Sequence, residues 1–152
     1  MEKNCSFNGR QYSYLTSEIE TIYHEAAQKF GLSDSALRIL YTIDLLGDRC
    51  PLSEIIRLSG ISKQTVNSSL RRLEQDGVLY LEAAAGKKKT VCLTESGNTL
   101  VKQSAHRILE MENDIFSSWS KAEQDGYIKL TEHFLSEFRD RVRGLSFPEV
   151  RR

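Results

Sequence analysis

Between residues 51 and 93 the spacing of apolar residues changes from a helical period to a strand period, and this constrains the fold more than any other feature. Pro51 starts a short helix with Leu52, Ile55 and Ile56 inward, and Gly60 closes it. A Ser59-Gly60-Ile61-Ser62 turn follows, in which Ser62 is a good N-cap. The next helix runs from about 63 to 75 with Val66, Leu70 and Leu73 on its inner face, and Asp76-Gly77 stops it. Two short strand-like runs, 78–83 and 89–93, then flank a linker containing Gly86 and read as a hairpin. Two short helices joined by a tight turn make a helix-turn-helix. The basic hairpin directly after it makes a winged one.

The flanks are helical. Leu15, Ile19, Ile22, Tyr23, Ala26 and Phe30 predict an amphipathic helix over roughly 12–30, ended by Gly31. Ser33 caps a second helix carrying Leu37, Leu40, Ile43 and Leu46, which Gly47 stops. Beyond the hairpin, Thr94 caps a fifth helix predicted over 95–118, with Leu100, Val101, Ala105, Ile108, Met111, Ile115 and Phe116 as its stripe. At about 24 residues it would span about 36 Å, long for a chain of 152 residues. Its apolar stripe therefore asks for a partner. Ser120-Lys121-Ala122-Glu123 is a capping box opening a sixth helix that bears Tyr127, Leu130, Phe134, Phe138 and Val142, with Leu145 and Phe147 beyond. The predicted order is α-α-α-α-β-β-α-α: a mainly α chain with a two-stranded wing and long N- and C-terminal helices.

Composition removes whole classes. Hydrophobic residues are 39% and charged residues 28%, which fits neither a disordered nor a membrane chain. No apolar run approaches the about 18 residues of a membrane span, and the first residues lack the pattern of a signal peptide. The three cysteines, Cys5, Cys50 and Cys92, form no CxxC pair, which argues against a disulfide framework or structural zinc and for a reducing cytoplasm. Net charge is zero, but residues 57–90 hold seven basic side chains and three acidic ones, a net of +4 that leaves −4 for the rest. A basic middle between acidic arms points to a central module that meets a polyanion.

The outer face of the fourth helix gives that polyanion an identity. Lys63, Gln64, Asn67, Ser68 and Arg71 lie within i, i+3, i+4 reach of one another, away from the inner stripe. Gln and Asn can pair two-pronged with adenine, Arg or Lys can reach guanine, and a small Ser permits close approach. A solvated helix face reads equally well from these residues alone. The hairpin linker Ala83-Ala84-Ala85-Gly86-Lys87-Lys88-Lys89 tips the balance, because three successive cations contribute nothing to a core and suit phosphates. Ser53 and Ser62, at the starts of the two helices, complete the candidate DNA-facing set.

The block GISKQTVNSSLRRLEQDGVLYLEAAAGKKKTVCLTESGNTL, residues 60–100, resembles the MarR family of bacterial transcriptional regulators. Leu-Glu-Gln-Asp-Gly-Val-Leu looks like the family's helix-to-wing junction, and Val91-Cys92-Leu93-Thr94-Glu95-Ser96-Gly97 like its second wing strand and helix cap. One departure concerns the wing, where the family commonly carries Asp-Arg-Arg or Asp-x-Arg. Ala85, Gly86 and Lys87 stand there instead, so a two-pronged arginine contact gives way to a flexible point charge. The resemblance implies a single domain over 1–152, with a DNA-binding lobe at about 33–97 and dimerisation helices at about 10–31 and 98–147. It implies a cytoplasmic homodimer binding a pseudo-palindromic operator on double-stranded DNA, acting as a repressor and released by a small aromatic effector.

The resemblance places such an effector in a cleft between the dimer helices and the DNA-binding lobe, with Tyr12, His24, Arg38, Tyr41 and His106 as candidates, each of which also reads as packing or surface. Some relatives sense peroxide through an N-terminal cysteine, which directs attention to Cys5, with Lys3 and Arg10 near it in sequence. His106 and Glu110, with His24, form a zinc-capable trio on paper, but three histidines are no enrichment and no metal or cofactor is expected. No GxSxG, Walker loop, HExxH or glycine-rich nucleotide loop appears, so catalysis is not expected. A peroxide- or metal-responsive regulator of the same fold, and a winged helix that binds protein rather than DNA, remain as alternatives.

Overall fold

The computed structural model describes residues 9–146, so Cys5 and Phe147 lie outside the described residues. The elements are α1 (Gly9–Lys29), α2 (Asp34–Leu46), β1 (Arg49–Pro51), α3 (Leu52–Ser59), α4 (Lys63–Gln75), β2 (Leu79–Ala83), β3 (Lys89–Leu93), α5 (Glu95–Gln103), α6 (Ala105–Ser117) and α7 (Lys121–Arg143). They fall into two compact units, divided after Leu109.

The first unit is built around α2. Ile39, Leu40 and Ile43 are fully buried there, and Ile55 of α3, Val66 of α4 and Val91 of β3 join them in one core. The expected caps all form. The hydroxyls of Ser33, Ser62 and Thr94 accept the backbone N–H of Ala36, Thr65 and Gly97 respectively. Each cap satisfies a donor that the first helical turn leaves without an internal partner. At Gly60, φ is +68°, the left-handed conformation that lets the chain reverse between α3 and α4 without Cβ strain.

Two features differ from the sequence-based expectation. The wing strands belong to a three-stranded antiparallel sheet of order β1-β3-β2, in which Cys50 pairs with Val91 and Tyr80 with Cys92. A strand of three residues ending in proline carries no readable period. It forms because the free edge of β3 offers hydrogen bonds, and an edge is where proline is tolerated in a sheet. The fifth helix expected over 95–118 is two helices broken at Ser104 (φ −129°, ψ −90°). The buried Ser104 hydroxyl donates to the Leu100 carbonyl at 2.6 Å while its amide turns to Val101, and such back-bonding competes with the helical ladder. No 36 Å rod exists there.

The α5 junction is tight. A Cβ on Gly97 would lie 1.9 Å from the Val78 carbonyl oxygen, so only glycine lets this helix start so close to the end of α4 and the beginning of β2. The wing thus leads into α5 through a fixed corner, reinforced by the Thr94 hydroxyl donating to the carbonyls of Gly77 and Val78.

In the second unit a capping box opens α7: the Glu123 amide donates to the Ser120 hydroxyl, and the Ser120 amide to the Glu123 carboxylate. Those contacts hold the Glu123 carboxyl below its ordinary range. Phe116, Trp119 and Tyr127 form an aromatic cluster with ring centroids 5.1–5.8 Å apart. Helix α7 buries none of its residues; Leu130, Phe134, Leu135, Phe138 and Val142 are all exposed.

Candidate nucleic-acid interface and cleft

Helix α4 is fixed on one side and free on the other. Val66, Leu70 and Leu73, at most 3% exposed, seat it in the core. Lys63, Gln64, Ser68 and Arg71 are exposed on its other side, while Asn67 is half-buried at the flank. Two further residues belong to the exposed strip and were not among the sequence-based candidates, one inside their range and one just beyond Arg71. Thr65 and Arg72 are exposed, and their positions three before and four after Ser68 put them on its face. Helical spacing alone was enough to find them.

Several hydroxyls are already engaged. Ser62 accepts the Thr65 amide and donates to the Thr65 Oγ1, at 3.2 and 2.9 Å, so its hydroxyl serves first as a helix cap. Ser68 donates to the Thr65 carbonyl at 3.1 Å, which folds its hydroxyl onto the helix and leaves its lone pairs outward. Ser53 is exposed in the first turn of α3.

The wing is short and open. Ala83 pairs with Lys89, the Ala84 amide donates to the Lys88 carbonyl at 2.9 Å, and Gly86 takes φ +75° at the tip. Lys87, Lys88 and Lys89 are exposed. Among the described residues, none of Lys63, Arg71, Arg72 and the three wing lysines makes an ion pair, whereas Arg57 is held by Glu54 and Arg49 by Glu82. The positive charge of the segment is thus concentrated, unneutralised, on α4 and the wing.

A cleft of about 390 Å³ lies in the first unit. It brings together three of the five candidate effector residues: His24 of α1, with Arg38 and Tyr41 of α2. Glu20, Tyr23, Asp34, Ser35 and Leu37 share its wall, with Ile61 from the helix-helix turn and Ile108 from α6. His24 Nδ1 lies 2.7 Å from the Asp34 carboxylate, and Arg38 sits 3.6 Å from Glu20 with its guanidinium 5.7 Å from the Tyr23 ring centroid. The other two candidates are not wall residues. Tyr12 is on an exposed stretch of α1, and His106 is 2.9 Å from Asp44 of α2. Glu20, Tyr23, Asp34, Ser35 and Leu37 lie within four positions of His24, Arg38 or Tyr41, within reach of helical spacing, whereas Ile61 and Ile108 are distant in sequence and no local signal relates them to the rest.

Cys50 and Cys92 are buried. The Cys50 thiol donates to the Gly47 carbonyl at 2.8 Å, and burial pushes its pKa up to about 11, with Asp48 and Cys92 adding to the effect. Cys92 is buried without being part of the core cluster that holds Val91. Its cross-strand neighbours are Arg49 and Tyr80. Among the described residues no group of three or more His, Cys, Asp or Glu side chains is placed to hold a metal ion, and no helix is long and apolar enough to cross a membrane.

A helix-turn-helix with a polar second helix, continued by a β-hairpin on a small antiparallel sheet, defines a winged helix-turn-helix protein. Residues 30–89 match the sequence model of the MarR family, and this stretch includes most of the segment, residues 60–100, whose motifs resemble that family. No match was found among curated proteins. Among solved structures, a MepR–DNA complex from Staphylococcus aureus is similar at TM-score 0.71 and 22% identity, over 89% of this chain and 99% of that one. MepR in its DNA-binding conformation gives 0.68 and 24%, over 84% and 98%. BpsR of Bordetella bronchiseptica, whose DNA binding is regulated by 6-hydroxynicotinic acid, gives 0.60 and 20%, over 82% and 98%.

Proposed function

We propose that the protein is a DNA-binding transcription regulator that acts as a homodimeric repressor. The observation that carries this reading is the set of exposed cations on α4 and the wing that no described carboxylate neutralises, beside a polar strip of Gln64, Thr65 and Ser68. Such a surface suits phosphates on either side of a major groove whose base edges Gln64 and Arg71 read. The lobe at about 33–97 supplies this surface, and the helices at about 10–31 and 98–147 supply the dimer contacts of a single cytoplasmic domain. The exposed apolar residues of α1 (Leu15, Ile19, Ile22) and of α7 support the dimer, since each face needs a cover in water. Two recognition helices about 34–36 Å apart then read a pseudo-palindrome.

Selection of bound duplexes from a random pool, followed by a salt titration on the selected and random sequences, tests the reading. Steep salt dependence on both, with a preference for the selected site, is the expected result. Binding that ignores salt, or no binding at all, leaves the winged helix as a protein-interaction module.

The cleft supports regulation by a small aromatic molecule. Tyr23 and Tyr41 offer ring surface, and the His24–Asp34 and Arg38–Glu20 pairs offer polar edges. An occupant weakens DNA binding only by its difference in affinity between the free and DNA-bound forms. Calorimetric titration with 6-hydroxynicotinic acid as a first probe, with and without the selected duplex, measures that difference.

A further inference from the structure

The first turn of α2 performs three tasks with three consecutive residues. Ser33 caps the helix, Asp34 holds His24 of α1, and Ser35 Oγ lies 2.6 Å from Ser69 Oγ on α4. Both serines are half-buried. The Ser35–Ser69 bond joins two side chains 34 positions apart and is the one hydrogen bond between α2 and α4 side chains among the described residues. Ser69 follows Ser68 and has exposed Thr65 and Arg72 four before and three after it, so it sits on the shoulder between the buried stripe and the DNA-facing strip.

We propose that Ser35 and Ser69 are positioning residues that set the rotation of α4 about its own axis, and through it the base preference of the protein. The proposal rests on the DNA-binding reading above. Val66, Leu70 and Leu73 hold α4 to the core, but apolar contact is non-directional and tolerates a small roll. A hydrogen bond is directional and does not. Side-chain tips stand about 6 Å from a helix axis, so a roll of about 10° moves them by about 1 Å. That displacement turns a two-pronged base contact at about 2.9 Å into none, while a phosphate contact, which needs charge more than direction, survives. Ser35 is also a wall residue of the cleft, which puts the strut within reach of any occupant.

The test is a double-mutant cycle on the intact protein. Ser35→Ala and Ser69→Ala are each expected to lower the ratio of selected-site to random-duplex affinity by about five-fold, the worth of one neutral hydrogen bond. The double variant should lose no more than either single one, because both remove the same bond. Ser69→Thr, which keeps a hydroxyl, should restore the preference. Random-duplex binding and its salt slope should stay as they were in all four proteins. Losses that multiply in the double variant, or an unchanged ratio in both single variants, would overturn the positioning role while leaving DNA binding intact. Equal weakening on both duplexes would also overturn it, and absence of DNA binding in the unmodified protein would instead remove the reading beneath it.

Discussion

Replacing Lys87, Lys88 and Lys89 together by alanine removes three exposed cations from the wing while leaving its backbone contacts in place. The Ala83–Lys89 pairing and the Ala84 amide bond to the Lys88 carbonyl involve main chain only, and Gly86 still turns the tip. The variant should therefore fold normally and lose charge alone. Each phosphate contact contributes about 0.9 to the slope of log K against log salt. A four-fold rise in salt weakens binding by about 3.5-fold per contact at that slope. Removing one phosphate contact per wing in a dimer should therefore spare the variant about 12-fold of the weakening that the unmodified protein shows between about 50 and 200 mM salt. Six contacts, three per wing, are the ceiling. Fluorescence anisotropy on selected and random duplexes across that range reads both quantities. The two duplexes should weaken by similar factors, because phosphate contacts carry no direct sequence information. An unchanged slope would show that the wing does not touch DNA, and loss confined to the selected site would show that the lysines read bases.

Replacing Gln64 or Asn67 by alanine should relax base preference by about 1–3 kcal/mol for each two-pronged hydrogen-bond pair removed, with random-duplex binding nearly unchanged; parallel weakening on both would exclude base reading. Gly97→Ala should lower stability by about 3 kcal/mol, the upper end for overpacking, since the new methyl meets the Val78 backbone rather than a side chain that can move; an unchanged urea midpoint would contradict the close approach. Truncation before Lys121 removes the exposed apolar face of α7 and should abolish the dimer, and specific DNA binding with it; a truncated chain that sediments as a dimer would refute this assignment. Cys50, with its thiol pushed up to about 11, should react with iodoacetamide at about pH 8 far more slowly in the native protein than in urea, and equal rates would contradict its burial.

What the sequence determined by itself is short-range. Ser33, Ser62, Thr94 and the Ser120–Glu123 box cap the helices they were expected to cap, because a cap is a contact across about three residues. Gly31, Gly60, Gly77 and Gly86 all take positive φ, as the turns between the periodic segments require. The buried stripe of α4 followed from its period, and with the stripe fixed the opposite face was fixed too. Thr65 and Arg72 lie on that same face, where helical spacing from Ser68 places them.

Other features exist only because distant segments meet. Strand β1 has no pattern of its own and forms on the edge that β3 presents. The break at Ser104 reflects a serine hydroxyl that turns to the Leu100 carbonyl in a buried setting, a choice that a stripe of apolar residues does not reveal. The cleft is a volume left between α1, α2, the helix-helix turn and α6, and a volume has no sequence period. It took His24, Arg38 and Tyr41 and left out Tyr12 and His106, although all five looked alike as candidates. The Ser35–Ser69 bond is of the same kind: two ordinary serines in sequence, brought to 2.6 Å by the packing of α2 against α4. Local hydrogen-bond chemistry is written along the chain, whereas cavities and long-range struts arise from how rigid elements fill space, and that is settled only when the core packs.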